Sequence, residues 1–228
     1  MLAPRHAASS RLHVKAGATT FSAPAVGNRT LYALKLRRYH PSEPRWQSAG
    51  RWLPPPPPPW RAWLLAPGSL TELLRSSGGP FRVQLLQQRW QRPQPGEARV
   101  LQCPLHHWAL IREVLLWVAD RPRVYGRSVL PASSMEGPLR HLYSLGNRSL
   151  GSQLFRHPGL HRTPFQLARI EPDRHLPAAA QQHCPAGERL WGRRSRFDIG
   201  PHPLLVSEIF LPALGELPRP RSLAILPG

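Results

Sequence analysis

The sequence predicts an α+β fold built on a mostly antiparallel sheet. Six stretches read as strands, rich in branched and aromatic residues and bounded by turn residues, as in hairpin-linked sheets. Two short helical pairs are set among them, and the second helix of each pair opens on a serine suited to capping it. No βαβ alternation and no glycine-rich phosphate loop is present, which argues against a nucleotide-binding α/β fold.

Taken in order, residues 1–42 hold no acid and mix Arg, Ser, Ala and His. That composition fits an organellar transit peptide, a disordered tail or an upstream start codon, and the tail is favoured. Pro54 to Pro59 reads as a stiff polyproline II spacer and a natural boundary. Residues 1–58 are therefore expected to be a basic, Pro-rich, disordered extension, 59–214 the folded domain, and 215–228 a flexible tail.

Trp60 to Leu65 reads as a short helix stopped by Pro67-Gly68. Ser69-Leu70-Thr71-Glu72 is a capping box, and the helix that it opens ends at Gly78-Gly79. Phe81 to Trp90 is a strand, and Pro93 to Gly96 a loop. His107 to Val118 is a second strand with Trp108, Leu110, Arg112, Val114 and Leu116 on one face. Val124 to Leu130 is a third. Gly137 to Ser144 reads as a short helix ended by Gly146, and Ser149 caps another containing Leu150, Leu154 and Phe155. Thr163 to Ile170 is a strand and 171–188 a polar loop. Arg189 to Phe197 is a basic strand, turning at Gly200-Pro201 into Pro203–Pro212.

That last strand poses the chemical question. Leu204, Val206, Glu208 and Phe210 share a face, so one carboxylate sits among apolar groups, where an unpaired charge costs several kcal/mol or more. Arg112 is its counterpart of opposite sign. One reading pairs the two as a buried structural ion pair. The other makes them opposite ends of a closed pocket for a small, flat, partly anionic molecule. In it Arg112 grips a carboxylate and Glu208 meets a hydroxyl, while the backbone N–H groups of Leu70 and Leu150 add donors at two helix starts.

Composition narrows the partners. There are 31 basic and 12 acidic residues, a net +19, nearly all of it Arg. No dense basic run, recognition helix or zinc-finger spacing accompanies the charge, so nucleic acid is not the expected partner. Cys103 and Cys184 read as unpaired thiols in a reducing cytoplasm. No apolar run is long enough to span a membrane. His157 and His161 are separated by Pro158-Gly159, which spoils a helical metal site.

Several segments then carry a family resemblance. They are Pro67-Gly68-Ser69-Leu70-Thr71, Ile111-Arg112-Glu113-Val114-Leu115-Leu116, Gly126-Arg127-Ser128-Val129-Leu130-Pro131 and Leu145-Gly146 followed by Leu150-Gly151. The series continues with Leu190-Trp191-Gly192-Arg193-Arg194-Ser195-Arg196 and ends at Glu208-Ile209-Phe210-Leu211-Pro212. In this order, over about residues 60–214, they resemble bacterial chorismate lyase. The resemblance implies a single domain with a six-stranded antiparallel sheet and two helix–turn–helix flaps over an internal ligand site. It implies elimination of pyruvate from chorismate to give 4-hydroxybenzoate for ubiquinone, with no cofactor, no metal and inhibition by product. By motif, substrate-binding positions fall on Leu70, Arg112, Leu150 and Glu208, and catalytic ones on Glu208 and Arg112. Arg193, Arg194 and Arg196 either attract the dianion or form a solvated basic strand.

The resulting expectation is a cytoplasmic, monomeric lyase with a small-molecule substrate and no nucleic-acid partner. The alternative is a non-catalytic ligand-binding domain like the effector domains of GntR-type regulators. Such a regulator should carry a winged helix, for which residues 1–58 lack the helices.

Overall fold

Alternation along the strands produces a sheet covered on both faces. The computed structural model describes residues 43–137 and 139–220, within one compact unit. The order is β1 (Gln47–Ser48), α1 (Pro58–Leu64), α2 (Leu70–Ser76), β2 (Phe81–Gln91), α3 (Pro95–Leu101), β3 (Ala109–Val118) and β4 (Arg121–Pro131). It continues with α4 (Leu150–Leu154), β5 (Leu160–Arg162), β6 (Gln166–Ile170), α5 (Pro172–His175), α6 (Ala178–Gln181), β7 (Leu190–Ile199) and β8 (His202–Phe210). All pairings are antiparallel, in the order β1-β6-β7-β8-β4-β3-β2, with β5 beside β7.

The sheet has eight strands rather than the expected six. The six long ones are those read from the sequence. β1 and β5 span only two and three residues, too short to show alternation. Further corrections concern short helices. Pro93–Gly96 is not simply a loop, because α3 starts at Pro95. Gln94 and Glu97 form its capping box, the Glu97 carboxylate accepting from the Gln94 N–H at 2.8 Å. The 171–188 loop contains α5 and α6. Of Gly137–Ser144 only Arg140–Ser144 is helical, as a 3-10 turn. Pro58 and Pro59 belong to the first turn of α1, where a missing N–H costs nothing, so the spacer is shorter than expected.

The expected domain limits at 59 and 214 have packed residues on both sides. Trp52 lies edge-on to Trp191 at 5.1 Å and its indole N–H donates to the Leu167 carbonyl. Beyond Leu214, Glu216 accepts from Arg123 at 2.8 Å. The tail expected for residues 1–42 lies outside the described residues, as does the last stretch, 221–228. No helix among the described residues is long and apolar enough to cross a membrane.

One face of the sheet is covered by α1, α2, α4 and the turn at Arg140–Ser144. Trp63, Leu64, Leu70 and Leu74 pack with Val114, Leu116, Val124 and Phe210. Leu139, Leu142, Leu150 and Leu154 pack with Leu110, Leu130, Phe197 and Leu204. Each fully buried Leu or Phe contributes roughly 1.5–3 kcal/mol. The opposite face carries α3, α5 and α6 through Leu101, Leu176 and Ala180.

That opposite face also holds a buried charge network. Arg127 donates to both oxygens of Glu97 (2.7 and 3.0 Å) and to Glu113 (2.6 Å), all three side chains nearly enclosed. Removing Arg127, the ion-pair partner of both, would strand two carboxylates in a low-dielectric interior. Arg127→Met should therefore cost about 3–5 kcal/mol of unfolding free energy, measured by urea denaturation; a change within experimental error would mean that the network adds nothing.

Candidate functional site

Register decides what faces the covered cavity. Across β3, β4, β8 and β7, one row of paired residues reads Arg112, Ser128, Val206, Ser195, and the next reads Val114, Gly126, Glu208, Arg193. These rows floor a cavity of about 60 Å³, measured over positions that a water centre can take, which is room for several waters. Leu70, Thr71, Ser149, Leu150 and Gly151 roof it, and Phe155, Arg162, Phe165 and Phe197 close the side. Gly126 matters to the floor. A Cβ there would stand 3.1 Å from Val114 Cγ2.

All four motif positions, Leu70, Arg112, Leu150 and Glu208, line this one cavity. Arg112 and Glu208 are not paired with each other. Their strands are separated by β4, which puts their backbones roughly 10 Å apart. Arg112 is 3% exposed, and one terminal nitrogen donates to the carbonyls of Gly146 and Arg148, each at 2.9 Å. Those carbonyls belong to the segment leading into α4, so Arg112 ties that flap to the sheet. Its Nε is buried without a partner among the described residues. Burial pushes the guanidinium down to about 10, which leaves it charged at neutral pH.

Glu208 is held instead by Arg193, whose Nε donates to Oε2 at 2.6 Å. The same guanidinium donates to the carbonyls of Trp63, Leu64 and Ala66, where α1 ends, and lies over Phe165 and Phe210. With 2% exposure, Arg193 is no part of a solvated strand. The arginine cluster divides by alternation. Arg194 and Arg196 lie on the far face, bound to Gln166 and to Asp198, Val100 and Gln102. A stricter period-2 reading of Trp191, Arg193, Ser195 and Phe197 would have placed Arg193 and Ser195 inward. Ser195 Oγ is a second buried polar atom with no partner among the described residues.

The two flaps meet above the floor. Ser69 and Ser149 cap α2 and α4 by accepting from the N–H groups of Glu72 and Ser152. The Thr71 and Ser149 hydroxyls are 2.7 Å apart. Glu72 does not complete its capping box; it accepts from Ser152 of the facing helix at 3.1 Å. Gly151 permits this approach, since a Cβ would come within 3.0 Å of Thr71 Oγ1. The sequence showed two similar helix starts but not that they touch. Thr71→Val removes the buried flap-to-flap bond, worth about 1 kcal/mol. Amide exchange in α2 and α4 should quicken about 5-fold with the rest of the sheet unchanged; uniform exchange across the domain would contradict a local role.

Chemically, the cavity offers a guanidinium with one unsatisfied N–H at one end, a fixed carboxylate at the other, and leucine and phenylalanine side chains between. Glu208 Oε1 makes no protein hydrogen bond among the described residues, so it can accept from a ligand hydroxyl.

Comparison with known proteins bears on this geometry. A family model described as chorismate lyase matches residues 40–216. Proteins named probable chorismate pyruvate-lyase include one from Thiobacillus denitrificans, 41% identical over 167 residues, covering 72% of this chain and 89% of that protein. Another, from Methylococcus capsulatus, is 40% identical and covers 69% of this chain and 98% of that protein. Among solved structures, the effector domain of PhnF from Mycobacterium smegmatis matches with a TM-score of 0.47 at 16% identity, covering 64% of this chain and 89% of that one. The family motifs fall on the strands and helix starts that build the cavity, and the chain belongs to the chorismate lyase family.

Proposed function

We propose that the protein is a chorismate pyruvate-lyase, converting chorismate to 4-hydroxybenzoate and pyruvate in the cytoplasm as a source of the ubiquinone ring. The observation that carries this reading is the convergence of Leu70, Arg112, Leu150 and Glu208 on one partly enclosed cavity whose buried Arg112 Nε lacks a partner among the described residues. An unsatisfied buried donor costs about 1–3 kcal/mol, more when charged, and a ligand carboxylate would relieve it.

In the reaction the ether bond at ring carbon C3 breaks and the C4 proton leaves, so the ring becomes aromatic. Enolpyruvate departs with the ether electrons and takes a proton to become pyruvate. Aromatisation supplies the driving force, so the protein mainly orients the dianion and excludes water. Arg112 holds the ring carboxylate. Leu70 and Leu150 cover the ring, and their backbone N–H groups, at helix starts with no acceptor inside the helix, face the anion. Glu208, fixed by Arg193, accepts from the C4 hydroxyl and stands next to the departing C4 proton.

The test is incubation with chorismate and chromatographic detection of 4-hydroxybenzoate with equimolar pyruvate; absence of both would reject the lyase reading. Arg112→Ala should lower kcat/KM by about 100-fold or more, as expected when a buried charged contact is lost. Unchanged turnover would reduce Arg112 to a tie for the α4 flap. Glu208→Gln keeps the shape but removes the charge, and should lower kcat by at least about 100-fold; a wild-type kcat would exclude proton transfer by Glu208.

A further inference from the structure

The charges lining the cavity do not end with Arg112 and Glu208. Arg162, on β5, is the third guanidinium there, beside that of Arg193. Arg193 is matched by Glu208 at 2.6 Å. Arg112 bonds only carbonyl oxygens. Arg162 has no carboxylate partner among the described residues. Among the described residues it donates only to the carbonyl of Gly68, next to the Ser69 cap of α2, at 3.2 Å. The cavity therefore presents two guanidiniums with no carboxylate at ion-pair distance among the described residues, Glu208 attracting Arg162 only from further off.

Arg162 is also held in place. Its guanidinium carbon lies 4.4 Å from the Phe165 ring centre and 5.9 Å from that of Phe155. Phe165 carries Arg193 as well, at 4.5 Å. Partial burial, and after it repulsion from the Arg193 guanidinium on the same ring, depress the proton affinity of Arg162, against a smaller attraction by Glu208. An additional anion at this point would relieve the repulsion. Pairing with Phe197 places Arg162 at the side of the cavity beside Ser195, the neighbour of Phe197 on the same face two residues away.

We propose that Arg162 binds the second carboxylate of the substrate, the one that leaves with pyruvate, while Arg112 keeps the carboxylate of the ring. This rests on the lyase reading above. It makes the site selective for a dianion over a monoanion of the same ring, because two unmatched cations are met by two carboxylates. It also gives the products unequal holds. Of the two guanidinium contacts, 4-hydroxybenzoate retains only that of Arg112 and pyruvate only that of Arg162.

The experiment compares wild type with Arg162→Gln and Arg162→Lys, in chorismate turnover and in calorimetric binding of chorismate and of 4-hydroxybenzoate. Arg162→Gln should lower kcat/KM for chorismate about 10- to 100-fold, in line with loss of one charged hydrogen-bonded contact. Its affinity for 4-hydroxybenzoate should stay within about 3-fold of wild type, and Arg162→Lys should recover part of the loss. If both ligands weaken equally, Arg162 only steadies the Gly68 end of the flap and the inference is overturned. Unchanged turnover overturns it too. Should wild type bind chorismate without converting it, the lyase reading fails, but weaker chorismate binding by Arg162→Gln would still sustain the assignment. Should it neither bind nor convert chorismate, both fall.

Discussion

The contact between Arg193 and Glu208 organises the cavity side of the molecule. One guanidinium joins the β8 carboxylate to three carbonyls at the end of α1, and it stacks on Phe165 and Phe210 at the same time. A lone buried carboxylate would be driven to neutralise or to find water. Pairing it with Arg193 allows the cavity floor to carry a fixed carboxylate at one chosen point. The pair is anchored to backbone oxygens, which have little freedom to move, so the carboxylate direction is set before any ligand arrives.

The other face serves a different end. There Arg127 neutralises Glu97 and Glu113, and so fastens α3 beneath β3 and β4. None of its three residues lines the cavity, yet β3 and β4 are the strands that present Arg112, Ser128 and Gly126 to it. Alternation lets one strand carry an ion-paired charge on one face and a cavity-facing charge on the other.

Much of this was legible because side chains alternate. The inward face of β3 and that of β8 each showed one charge among apolar residues, and the serine caps marked both flap helices. Less legible was who pairs with whom. Strand order brings β4 between Arg112 and Glu208, and sequence spacing carries no such information, so the plausible ion pair between them did not form. Arg193 was visible only as one of three arginines, and its partner depended on the β7–β8 register. Arg162 lies on a three-residue strand, where periodicity has nothing to work on. α3 was missed although its Pro95 and Glu97 are good first-turn residues, because a proline followed by glycine also spells a turn.

β8 is the last strand in the sequence and the middle one in the sheet, inserted between β4 and β7. While the chain is being made on the ribosome, β2–β3–β4 can close as one local meander and β6–β7 as another. Both present an open hydrogen-bonding edge until residues 202–210 emerge. Joining the two halves therefore waits on long-range pairings, such as Gly126 with Glu208, and such pairings form slowly. The segment that joins the two halves is the same one that delivers the carboxylate. A chain that has not finished folding has no closed cavity floor, and until then its unpaired strand edges are open to aggregation.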